Sequence, residues 1–142
     1  MSAMLTPLSQ EEARALLTES RVGRLGCLYK GDPYVVPINY VSDGENIYSH
    51  SLPGRKLDSL RANPSACLQV DDIVDVCHWR SAIAFGTYEE LTNSKEREWV
   101  VRALHARFPR LTPVESVPVH DGQSSVVLFR IRIREVTGVG EK

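Results

Sequence analysis

The sequence has 142 residues, 42% of them hydrophobic and 25% charged, which fits one globular domain with a core of its own. With 17 Lys and Arg against 18 Asp and Glu the formal net charge is -1, so there is no electrostatic case for nucleic acid or an anionic membrane as partner, and no apolar run approaches the length of a membrane span. Three cysteines without CxxC or zinc-site spacing, and no secretory segment ahead of them, point to a reducing cytoplasm.

Ser9-Gln10-Glu11-Glu12 has the Ser-x-x-Glu spacing of a capping box and precedes Ala13, Leu16 and Leu17, the apolar stripe of a short helix. From Val22 to His50 the pattern turns to strands: residues 22–29, a Lys30-Gly31-Asp32-Pro33 turn, residues 34–41, a Ser42-Asp43-Gly44-Glu45 turn, and residues 46–50. These read as consecutive antiparallel hairpins.

Tyr48 to Pro64 then joins a strand end to a short helix, Arg55 to Asn63, whose first turn carries two cations. Gly54 allows an unusual backbone conformation or the close approach of a ligand. Arg55 and Lys56 supply charge-assisted donors, and the helix N-terminus adds unpaired N–H groups and the positive end of its dipole. That combination suits a phosphate, with ordinary solvated cations as the alternative. Leu57 and Leu60 are spaced to face a core, Arg61 falls in the last turn, and Asn63-Pro64 ends the helix.

Residues 66–71 and Arg80 to Leu91 read as strands with an acidic loop between them. Ser94 is expected to cap a helix running to about Phe108, with Trp99, Ala103, Leu104 and Phe108 as core contacts. Pro109, Pro113, Pro118 and Asp121-Gly122 mark a long connection. The last strand alternates strictly, with Val127, Phe129, Ile131 and Ile133 on one face and Arg130, Arg132 and Arg134 on the other. Solvation, or pairing with Glu89 and Glu90 on a neighbouring strand, is the expected role of those arginines. Strands outnumber helices and no βαβ alternation carries a Gly-rich nucleotide fingerprint, so an antiparallel barrel fits better than a doubly wound sheet.

Cys27 and Cys67 lie in apolar runs and read as core residues, while Cys77 and His78, as strand neighbours, would point to opposite faces. His78, His105 and His120 lack ligand spacing and Asp71, Asp72 and Asp75 lack an EF-hand pattern, so no metal is expected. Pro37, inside a strand, cannot donate to the ladder and marks an edge or irregularity with backbone groups nearby open to a ligand, an ordinary edge-strand proline being the alternative.

Tyr48-Ser49-His50, Gly54-Arg55-Lys56-Leu57, Leu60 and Asn63-Pro64 together resemble the flavin mononucleotide (FMN) signature of the pyridoxamine 5′-phosphate oxidase-like split-barrel proteins, and are most similar to its nitroimidazole-resistance branch. The resemblance extends upstream through VGRLGCLYKGDPYVVPINYVSDGENIYSH and downstream through WRSAIAFGTYEEL and FRIRIREVTG. It departs after Thr137-Gly138, where relatives often carry a basic residue and this chain has Val139-Gly140.

The resemblance implies a mainly β fold, a six-stranded antiparallel split barrel with Greek-key connections, forming a homodimer with FMN in a groove between subunits. It implies that the backbone of Pro37, Ile38, Asn39 and Tyr40 lines the isoalloxazine and that Tyr48 and Ser49 contact the flavin or its phosphate. Arg55 and Lys56 would hold the phosphate, Ser81, from the same or a partner chain, would sit at the polar edge of the ring, and Trp79 would cover a ring face. His50 is the candidate proton shuttle, with a plain hydrogen-bonding role as the alternative.

The activity so implied is an FMN-dependent oxidoreductase that reduces a small oxidised, nitro-aromatic-like compound with electrons from a nicotinamide donor. Pyridoxamine phosphate oxidation is disfavoured, because FRIRIREVTGVGEK lacks that enzyme's C-terminal substrate-binding pattern. A flavin or heme carrier or sensor, a deazaflavin-dependent reductase on the same barrel, and a cofactor-free interaction module using the arginine strand are the alternatives.

Overall fold

In the computed structural model, which describes residues 5–108 and 126–141, the elements run β1 (Leu5–Pro7), α1 (Gln10–Glu19), β2 (Val22–Tyr29), β3 (Asp32–Asn39), β4 (Val41–Ser42), β5 (Asn46–Ser51), α2 (Arg55–Ala62), β6 (Ser65–Asp75), β7 (His78–Glu90), α3 (Ser94–Arg107) and β8 (Val127–Glu141). The expected long connection, with Pro109, Pro113, Pro118, His120 and Asp121-Gly122, lies outside the described residues. Eight strands form one antiparallel sheet in the order β3-β2-β6-β7-β8-β5-β4, with β1 paired to β8. Six strands were expected; the additions are β1 and β4, of 3 and 2 residues, too short for periodicity to register. β5 returns through α2 and the β6–β7–β8 meander to lie beside β8, which is the Greek-key connection.

The hairpins from Val22 to His50 are only partly consecutive. β2 pairs with β3 and β4 with β5, but β3 and β5 belong to opposite ends of the sheet order. Lys30 (φ 52°) and Gly31 (φ 86°) make a two-residue turn between the paired Tyr29 and Asp32, so Pro33 falls inside β3 rather than in the turn. Two successive left-handed residues are the mark of a type I′ turn, whose twist matches that of the strands it joins.

The acidic stretch is strand, not loop. β6 continues to Asp75 and pairs with β7 as far as His78, because the carboxylates find cross-strand partners: Asp71 with Arg24 at 3.2 Å and Asp72 with Arg80 at 2.9 Å. Only Val76 and Cys77 remain to turn the chain.

The capping box at Ser9 forms in both directions, each bond 3.0 Å, and buries Ala13, Leu16 and Leu17 against the sheet. Asn93, one residue before the expected Ser94, caps α3 by accepting from the Glu96 N–H. α3 buries Val100 and Leu104, whereas Trp99 stays half exposed and meets the Tyr48 ring edge-on at 5.2 Å. The main core gathers Leu25, Ile47, Leu57, Leu60, Leu68 and Phe129 inside the curl of the sheet, and a second cluster of Val41, Tyr48, Leu91, Val100, Leu104 and Leu128 lies under α3.

The arginine row is largely neutralised across strands: Arg130 bonds Glu89 and Glu96, and Arg132 also bonds Glu89, while Glu90 is taken by Arg61 of α2. Among the described residues no helix is long and apolar enough to cross a membrane.

Candidate functional site

β5 ends at Ser51 and the chain enters α2 through Gly54, whose φ of 166° is extended backbone that any residue can adopt, so the expectation of an unusual conformation there is not met. The second expectation fits better. A Cβ at Gly54 would meet nothing within 4 Å, so the helix start is open to a close-lying ligand. No side-chain cap bond forms at that end, and the positive end of the helix dipole lies beside Arg55 and Lys56.

The helix is held firmly from behind. Leu57, Ser59 and Leu60 are buried, Ser59 Oγ donates to the Arg55 carbonyl at 2.7 Å, and Arg61 makes a two-pronged contact with Glu90 at 2.6 and 3.1 Å. Beneath Ser59 lies Cys27 of β2. Burial pushes its thiol pKa up, despite the opposing influence of Ser59 and Lys56, so it stays a neutral core group. The Arg55 guanidinium lies 4.6 Å from the centroid of the Tyr29 ring at the end of β2, a contact that periodicity in the sequence could not reveal.

The second half of the site is a seam. Ser49, only 1% exposed, donates at 2.6 Å to the backbone carbonyl of Asn39, tying β5 to the end of β3 across the gap between the two ends of the sheet. β3 pairs only with β2 among the described residues, and Pro37 is exposed on it, as an edge position demands. From Asp32, level with Tyr29, to Pro37 is five residues, about 17 Å of strand. The edge therefore leads from the cations at one end to the seam at the other.

Ile38 and Tyr40 turn their side chains into the core, the Tyr40 hydroxyl donating to the Leu17 carbonyl, and burial raises that phenol's pKa strongly. Their side chains are therefore not available to a ligand. Tyr48 points to the α3 side and donates to Asp43 Oδ2 at 3.3 Å. Burial opposes ionisation of Asp43, but the N–H groups of Glu45 and Asn46 outweigh it and hold the carboxyl below its usual range. His50, half buried, shares the Tyr48 side of β5 by strand alternation and thus turns away from Ser49.

Trp79 and Ser81 are elsewhere in the chain. Trp79 Nε1 donates to Glu141 at 2.8 Å and lines a cleft of about 240 Å³ with Thr6, Asp72, His78 and Arg80. Ser81 accepts from Gln69 at 3.0 Å. Along β6, from Cys67, level with Gly26, to Ile73, level with Trp79, is six residues or about 20 Å, so the chain does not bring Trp79 to its own Arg55-Lys56 pair.

The sequence profile of the family described as pyridoxamine 5′-phosphate oxidase matches residues 9–139. The chain belongs to that family. An FAD-binding protein of Mesorhizobium loti, known from its crystal structure, is 32% identical, with 99% of both chains covered and a TM-score of 0.81. A candidate 5-nitroimidazole antibiotic resistance protein of Bacteroides thetaiotaomicron shares the fold at 18% identity, a TM-score of 0.78 and coverage of 99% of this chain and 91% of that one. An uncharacterised protein of Rhizobium meliloti (strain 1021) is 28% identical over 138 residues, 92% of this chain and 91% of its own length. The curled antiparallel sheet with its seam at Ser49 and Asn39 is thus the split barrel of the pyridoxamine 5′-phosphate oxidase family.

Proposed function

We propose that this member of the pyridoxamine 5′-phosphate oxidase family is an FMN-dependent oxidoreductase, active as a homodimer on a small oxidised compound of nitro-aromatic type with electrons from a nicotinamide donor. The observation that carries the flavin is the start of α2: uncapped, open at Gly54 and armed with Arg55 and Lys56, at one end of the edge strand that carries Pro37. These donors fit a flavin phosphate, with Arg55 suited to two-pronged contact and Lys56 acting as a point charge.

In this reading the backbone of Pro37, Ile38, Asn39 and Tyr40 orients the ring system, Ser49 and the backbone of Tyr48 support its near end, and His50 holds the mobile proton on its imidazole. A bound flavin supplies the hydride acceptance and donation that no side chain can. The nitro-aromatic substrate class rests on the likeness of the Tyr48 to Pro64 run to the nitroimidazole-resistance branch.

The homodimer has two supports. Ile73, Val74 and Val76 on the β6–β7 hairpin are 65%, 76% and 87% exposed, a concentration of apolar surface that favours a partner. Trp79, about 20 Å along the sheet from the anchor end, would meet the flavin from a second copy, and Ser81 from the same or a second copy.

The test is the absorption spectrum of the purified protein, with the flavin released by heat identified as FMN or as FAD, the cofactor of the Mesorhizobium protein's description. Replacing Arg55 and Lys56 together by Ala is expected to weaken FMN binding by at least about a hundredfold, since two charge-assisted contacts go, and to leave a folded dimer by size exclusion. Unchanged FMN affinity overturns the assignment, and a heme spectrum redirects it to a carrier or sensor on the same barrel.

A further inference from the structure

The cations of α2 do not stand alone on the surface. Tyr29 lies at the last position of β2, and its ring has Arg55 Cζ at 4.6 Å from the centroid and Lys30 Nζ at 5.3 Å. Cys27, two residues earlier and so on the same face of the strand, lies under Ser59. β2 therefore supports α2 at two points one turn apart, Arg55 above Tyr29 at its start and Ser59 above Cys27 in the next turn. The Tyr34 ring on β3, tilted by 48° with its centroid 6.3 Å away, packs beside Tyr29. The left-handed Lys30 (φ 52°) turns the chain back at this point, which is what carries its ammonium over the ring of its neighbour.

We infer that Tyr29 is a positioning residue of the phosphate anchor, holding the Arg55 guanidinium over its ring before the anion arrives, with Lys30 adding a third cation at the same end of the barrel. This rests on the flavin reading above. An exposed arginine has much rotamer freedom to lose on binding, and a ring beneath the guanidinium removes part of that loss in advance. A guanidinium attracted to the ring through its charge still has its N–H donors to offer an anion.

Binding of FMN and of riboflavin, which lacks the phosphate, by the full chain separates this role from a merely structural one. Tyr29→Leu is expected to weaken FMN binding about five- to tenfold and to leave riboflavin binding unchanged, while Tyr29→Phe, which keeps the ring, stays within about twofold of wild type. Lys30→Gln is expected to weaken FMN binding at low salt and much less at high salt, as a screened contact does. The inference is overturned if Tyr29→Leu binds FMN as wild type does, or loses FMN and riboflavin equally. A wild-type protein that binds neither flavin overturns the flavin reading itself, and this inference with it.

Discussion

Ser49 and His50 are neighbours on β5 with opposite surroundings. Ser49 is sealed in the seam, where its hydroxyl is the donor to the Asn39 carbonyl at 2.6 Å. Ser49→Ala leaves that carbonyl without it, at a cost of about 1–2 kcal/mol. The expected result is a thermal midpoint lower by about 3–6 °C, with weaker flavin retention because the Pro37 to Asn39 edge loses its tie to β5. A midpoint equal to wild type would show that the seam closes without Ser49. His50→Gln, on the half-buried Tyr48 side of the strand, is expected to leave stability and flavin content unchanged and to alter turnover of a nitro-aromatic substrate. Equal turnover removes His50 from the chemistry.

At the scale of elements, the β7–β8 pair depends on one glycine. The register shifts between Phe85 opposite Glu135 and Gly86 opposite Ile133, so β8 carries an extra residue there. A Cβ on Gly86 would stand 2.2 Å from the Arg132 carbonyl oxygen and 2.8 Å from Ile131 Cγ2. The obstacle is backbone, which cannot swing aside as a side chain tip can. Gly86→Ala is therefore expected to cost about 3 kcal/mol, measured by chemical denaturation, and a loss under about 1 kcal/mol would mean that the bulge can migrate. The contrast with Gly54, where a Cβ meets nothing, separates a glycine required by packing from one that leaves room for a ligand.

Across the whole molecule, carboxylates on β7 join strand to strand and sheet to helix. Glu89 is bonded by Arg132 and Arg130, and Glu90 by Arg61 of α2; both carboxyl pKa values are lowered, chiefly by these hydrogen bonds. A carboxylate with a lowered folded pKa contributes stability above its unfolded pKa of about 4.3 and loses it as pH falls through the folded value below that. The thermal midpoint is thus expected to vary little between about pH 7 and 5 and to fall below about pH 4, and Glu89→Gln should make that fall shallower. An identical acid profile in the variant would assign the loss to other carboxylates, among them Glu90 and Asp43.

Residues within a few positions of one another decide the features that periodicity and spacing reveal. The Ser9 capping box, the strand runs that became β2 and β3, the alternation of β8, and the short α2 with Arg55 and Lys56 at its start were all legible, because a cap, a strand face or a helix turn is completed by near neighbours. The extension of β6 through its aspartates was not, because their partners Arg24 and Arg80 come from other strands. The pairing of β2 with β6 and of β5 with β8, the closure of the seam by Ser49 onto Asn39, the place of Tyr29 under Arg55 and the strand's length between Trp79 and the anchor come from the folded sheet alone. Each depends on which distant segments the closing sheet sets side by side, and that is set by burial of the whole core rather than by any local periodicity.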